Sequence, residues 1–128
     1  MSMLSSCNVI AFVATTDPER AREFYAGALG LRLVDDQPAA LVFDAHGTML
    51  RVAKVQTLTP ARHTVLGWAV GNVAGVIDGL TKVGVTFERF PGLQQDERAI
   101  WTSPDGARIA WFKDPNGNIL SLTEFPLP

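Results

Sequence analysis

One order of elements occurs twice along this chain, and that repeat restricts the possible folds more than any single motif. "NVIAFVATTD" reads as a β-rich strand that stops at polar residues. "TDPERAREFYAGALG" reads as a helix. Thr16 or Asp17 can cap it, Pro18 fits its first turn, and Glu19 suits the positive end of the dipole. Ala21, Phe24, Tyr25, Ala28 and Leu29 fall on one apolar face, and Gly30 is the C-terminal stop. "LRLVDD", "AALVFDA" and "TMLRVAKV" follow as three short strands, broken at Asp35-Asp36-Gln37-Pro38 and at His46-Gly47. After the linker "QTLTPARHT" the order starts again. "VLGWAV" is a strand, and "NVAGVIDGLTKVG" is a helix with Val73, Val76, Ile77 and Leu80 on its apolar face. "VTFERF", "RAIWTS", "ARIAWFKD" and "NILSLTEF" read as strands, with "SPDGA" and "DPNGN" as turns. The halves, about residues 8–55 and 64–125, share a β-α-β-β-β order but little residue identity. The repeat is one of pattern.

Such a pattern predicts an α+β chain, a single domain over residues 1–128 made of two modules. One helix covers one face of each small sheet, and the other face stays open unless the halves join. Two such sheets side by side would enclose a cleft, and function is expected there. Bulk properties narrow the classes. Hydrophobic residues at 47% supply a core, and charged residues at 19% are too few for disorder. The net charge of −2 comes without a basic cluster, so nucleic-acid binding has no visible footprint. Apolar runs are strand-length, which predicts no membrane span. "MSMLSSCNVIAFV" lacks the basic n-region of a signal peptide, and one cysteine, Cys7, allows no internal disulfide. A cytoplasmic protein is expected.

"TDPERAREFYAGALGLRLV", "LGWAVGNVAGVIDGLTKVGVTFE" and "WFKDPNGNILSLTEF" together resemble the vicinal oxygen chelate superfamily, the glyoxalase I, bleomycin-resistance protein and extradiol dioxygenase group. The resemblance implies two βαβββ modules forming an open, barrel-like cleft. It also implies three metal-ligand positions, set by offset from local anchors. These are Ile10 before Asp17, Val65 before Trp68, and Ser121 after Asp114. An isoleucine, a valine and a serine do not make a divalent metal site. Neighbours one residue away add no suitable donor. His63 precedes Val65 by two and shares its parity, His46 sits in a turn, and Glu124 has the opposite parity from Ser121. The chain is therefore expected to be a member without the usual metal ligands, with no metal and no cofactor.

Strand alternation predicts which side chains line the cleft. Ile10 and Phe12 face it in the first strand, with Val13 beneath the helix. Met49 and Arg51 face it, with Leu50 and Val52 in the core. Val65, Ile109, Trp111 and Ser121 line the second half, and Trp101 joins them from a strand whose side alternation leaves open. Trp68 and Phe112 are expected under the helix. The predicted ligand-binding set is Ile10, Phe12, Met49, Arg51, Val65, Trp101, Ile109, Trp111 and Ser121. Arg51 reads in two ways: a guanidinium gripping an acid, or a surface arginine paired with Asp44. Trp101 and Trp111 either wall the cleft or plug it. No nucleophile–base pair is readable, so no catalytic residue is assigned. The leading function is a metal-independent small-molecule binding protein for an apolar or aromatic, optionally acidic, ligand. The alternatives are a glyoxalase- or dioxygenase-like lyase, isomerase or oxidoreductase with a displaced metal site, and an accessory subunit. The open apolar faces predict a homodimer.

Overall fold

The computed structural model describes residues 3–128; Met1 and Ser2, which open the stretch read above for a leader, lie outside the described residues. The chain divides into two compact units, with the boundary in the linker between Leu58 and Thr59.

The first unit contains β1 (Ile10–Thr15), α1 (Pro18–Arg22), β2 (Arg32–Asp36), β3 (Ala40–Ala45) and β4 (Thr48–Lys54). Its sheet runs β1-β4-β3-β2, with β1 parallel to β4 and the other pairs antiparallel. The second contains β5 (Thr64–Ala69), α2 (Val73–Lys82), β6 (Trp101–Thr102), β7 (Arg108–Lys113) and β8 (Ile119–Glu124). Its sheet runs β5-β8-β7-β6, the same permutation. The repeat of pattern is thus a repeat of topology, and each unit is the expected βαβββ module.

Alternation sets each core. In the first unit Val13, Leu41, Phe43, Leu50 and Val52 are buried together with Ala21 and Tyr25 of the helical segment, and the Tyr25 and Phe43 rings are 5.9 Å apart. In the second, Ala110, Phe112, Leu120 and Leu122 are buried along with Val73 and Ile77 of α2. Trp68 stacks on Phe112 at 6.4 Å and Phe87 packs on it at 5.4 Å. No helix among the described residues is long and apolar enough to cross a membrane.

Turn chemistry holds the hairpins. His46 and Gly47 both take positive φ, at 53° and 91°, the backbone that a two-residue hairpin turn with the strand's own twist requires. Asp44 accepts the Gly47 N–H at 3.0 Å. In "DPNGN", Asp114 Oδ1 accepts the N–H groups of Asn116 and Asn118 at 2.9 and 3.0 Å, while Oδ2 accepts from Asn118 Nδ2 at 2.8 Å.

Two elements differ from the sequence reading. The first helix is α-helical only to Arg22, where Asp17 caps it by accepting from Arg20 N. Residues Glu23–Ala28 are π-helical, and the Leu29 N–H donates to the Phe24 carbonyl at 2.9 Å. Over so few turns, residues four apart, such as Phe24 and Ala28 or Tyr25 and Leu29, share a face in both geometries, so periodicity does not separate them. Second, "VTFERF" forms no strand. Only Phe87 bridges to Phe112, and "RAIWTS" contracts to the two residues of β6. The Gln95 side chain replaces a strand partner here. It accepts from Phe90 N at 2.8 Å and donates to the carbonyls of Glu88 and Ala99 at 3.0 and 2.9 Å. Arg98 ties this loop to α2 by donating to both oxygens of Asp78 at 3.0 and 3.2 Å, which holds the Asp78 carboxyl below its ordinary value of 3.8.

Candidate functional site

Each sheet buries one face under its helical segment and carries the predicted site residues on the other. In the first unit, register places Ile10 beside Met49 and Phe12 beside Arg51. Ile10 is 47% exposed, Phe12 61% and Met49 42%, whereas Leu50 and Val52 are fully buried. A groove of about 410 Å³ runs along this face, with Ile10, Val34, Val42 and Met49 among its walls. At its side Arg32 and Asp44 pair at 3.5 Å. Asp44 is thereby engaged, and it is not the partner of Arg51. Arg51 is half-buried and donates from Nη2 to Gln37 Oε1 at 3.0 Å. Gln37 in turn donates to Asp35 at 3.0 Å. Among the described residues no carboxylate lies within ion-pair distance of Arg51. Its contact is with a neutral amide, so the guanidinium charge is uncompensated.

The second unit gathers aromatic side chains. Trp111 on β7 is paired with Ser121 on β8, and Ile109 with Thr123. Trp101, whose side alternation left open, lies opposite Ile109. The Trp101 and Trp111 rings are 6.3 Å apart at 35°. Phe90 meets Trp111 edge-on at 5.5 Å and 88°. Sequence reasoning did not include Phe90, because it assigned that segment to a strand. The Gln95 hydrogen bonds that turn the loop are the missing signal, and no local motif announces them.

A bulge in β5 also alters the set. The pairing shifts between Thr64 and Leu66, so Thr64 stands opposite Ile119 and Gly67 opposite Ser121, with Val65 at the irregularity. One extra residue in a strand shifts the alternation on one side of it. Thr64 consequently reaches this face, and its hydroxyl accepts the Trp111 Nε1–H at 3.1 Å. That bond runs from β7 to β5, so the indole lies across β8 and over Ile119 and Ser121, each only 8% exposed.

The donors at the resemblance-derived metal positions are a single hydroxyl, Ser121, and, through the bulge, the nearby Thr64 hydroxyl. Such a set does not fit a divalent transition metal. Glu124 points elsewhere, its Oε1 accepting the Val73 N–H of α2 at 2.9 Å, and His63 is exposed. Among the described residues there is no group of three or more His, Cys, Asp or Glu side chains suited to holding a metal ion.

Residues 7–122 match the family model described as the Glyoxalase/Bleomycin resistance protein/Dioxygenase superfamily. No curated protein matches the sequence. Among solved structures, TnmS3, an antibiotic binding protein from Streptomyces sp. CB03234, is 26% identical, with 98% of this chain and 100% of that chain covered at a TM-score of 0.74. A superfamily member from Sphaerobacter thermophilus is 24% identical over 91% of this chain and 96% of that one, at a TM-score of 0.70. Lactoylglutathione lyase from Agrobacterium tumefaciens is 16% identical over 93% of each chain, at 0.71. The last two likenesses carry the fold alone.

Proposed function

The chain belongs to the glyoxalase/bleomycin resistance protein/dioxygenase superfamily, and we propose that within it this protein is a metal-independent binder of flat, largely apolar small molecules. One observation carries the reading. Trp101, Trp111 and Phe90 form a ring cluster on an open sheet face, and both tryptophans are only half-buried. Apolar walls with few polar groups are the chemistry of a small-molecule site, because burial supplies affinity and the polar groups orient the ligand. TnmS3, an antibiotic binding protein, supports the same direction. On the second unit's face the residues proposed to take part are Trp101, Trp111, Ile109, Val65 and Ser121, with Phe90 and Thr64 added; on the first unit's own face they are Ile10, Phe12, Met49 and Arg51. A cytoplasmic site of action is part of this reading. Titration of planar aromatic compounds should give a saturable change in tryptophan fluorescence. A flat response across such a panel would leave the rings as an internal plug and end the proposal.

Arg51 gives the first unit's face an acid anchor of its own. Among the described residues its charge meets only the Gln37 amide oxygen, so a ligand carboxylate would gain a charge-assisted hydrogen bond. Arg51→Ala is expected to weaken acidic aromatic ligands by about 1.5 kcal/mol, roughly tenfold, and to leave neutral ones unchanged. Calorimetry with matched acidic and neutral compounds checks this. An equal loss for both kinds would make Arg51 a packing residue.

A homodimer belongs to the same proposal. Ile10, Phe12 and Met49 expose a contiguous apolar patch on the first unit, of the sort that self-association removes from water. Light scattering at tens of micromolar should give twice the 13.9 kDa chain mass. A clean monomer there counts against it.

A further inference from the structure

Ser121 is 92% buried by its 8% exposure, yet among the described residues its hydroxyl has no hydrogen-bond partner. Leaving a buried hydroxyl unpaired costs free energy that a folded protein normally avoids. The hydroxyl is not sealed, because no side-chain polar atom shut off from solvent lacks a partner among the described residues. Its surroundings show how it is reached. On one side the Trp111 indole runs across β8 to Thr64. On the other side stands Gly67, paired with Ser121 across the ladder. A Cβ on Gly67 would lie 2.6 Å from Ser121 Oγ, so with a side chain there the hydroxyl would have to turn away from this approach. The absent side chain leaves a window beside the indole, and the window ends on an unused hydroxyl.

We propose that Ser121 Oγ, reached over Gly67, is the polar recognition point of this face and selects planar aromatic ligands that carry a neutral acceptor oxygen such as a ring carbonyl. This rests on the small-molecule reading above and names the ligand group that the face prefers. The Ser121 O–H donates to the ligand oxygen while the ligand plane lies against the tryptophans. Charge plays no part at this point. The cation that shares Trp111's parity on β7, Lys113, is 3.7 Å from Glu88 and is compensated there. Thr64 Oγ1 already accepts from Trp111, and that bond holds the indole edge in place beside the window.

The test uses 9-fluorenone and fluorene, one flat skeleton with and without a carbonyl oxygen, measured by equilibrium dialysis against the full chain. The unmodified protein should hold fluorenone about tenfold tighter than fluorene, the size of one net hydrogen bond. Ser121→Ala should abolish the preference by bringing fluorenone down to the affinity of fluorene. Gly67→Ala keeps the hydroxyl but displaces it from the window, and it should abolish the preference as well. Equal binding of the two compounds by the unmodified protein overturns the Ser121 proposal and leaves the small-molecule reading intact. A preference that survives in Ser121→Ala does the same. If neither compound binds, the small-molecule reading falls and the proposal falls with it.

Discussion

Trp111→Ala is expected to weaken planar aromatic ligands by about seventyfold while costing the fold little. The indole sits on the open face, half-buried, with Trp101 at 6.3 Å, Phe90 at 5.5 Å and one hydrogen bond to Thr64. A ligand lying on it would remove about 100 Å² of ring surface from water, worth roughly 2.5 kcal/mol. The alanine loses that surface for every planar ligand, acidic or neutral, which separates its effect from that of Arg51→Ala. Stability should fall by no more than about 1–2 kcal/mol, since the ring is only partly buried in the free protein. Dialysis and urea denaturation on one preparation give both numbers. Retained affinity, within a factor of three of the unmodified protein, would remove the tryptophan face from the binding site.

The neighbouring residue should behave in the opposite way. Phe112 is fully buried, stacked by Trp68, packed against the tilted ring of Phe87 and paired with Leu120 across the ladder. Phe112→Ala deletes a ring from the middle of the second unit's core and leaves a cavity that α2 and the Phe87 bridge cannot close without breaking other contacts. The expected cost is about 3–5 kcal/mol. That is a large share of the roughly 5–15 kcal/mol of stability typical of a domain. At an m-value of about 2 kcal/mol/M the urea midpoint should drop by about 1.5–2.5 M. A loss below about 1 kcal/mol would mean that the core of the second unit is not where register and burial place it. The two substitutions are adjacent in sequence and differ only in the face of β7 they alter.

The opposite expectations for Trp111 and Phe112 follow from a property that is local. A strand turns successive side chains to opposite sides, so apolar alternation already separates Leu50 and Val52 from Met49 and Arg51, and Phe112 from Trp111. Burial in the structure sorts these residues the same way. The repeated β-α-β-β-β order was equally legible, because strand and helix periods, caps and turn residues act over a few positions each. Asp17, the His46-Gly47 pair and the Asp114 turn all behave as their residue types dictate.

What only the tertiary structure decided depends on groups far apart in the chain. Alternation assumes an uninterrupted strand, and the bulge at Val65 is seen only when β5 is laid against β8; it brings Thr64 to the face and sets Gly67 beside Ser121. Phe90 reaches Trp111 because Gln95 draws its loop together through three hydrogen bonds. Arg51 meets Gln37 across the sheet, not Asp44, because Asp44 is already held by Arg32 and by the turn it caps. Periodicity records which way a side chain points, and it carries no information about which distant partner competes successfully for that side chain's hydrogen bonds. The sheet face was therefore determined by sequence, while the detail of its binding surface was decided by long-range register and by that competition.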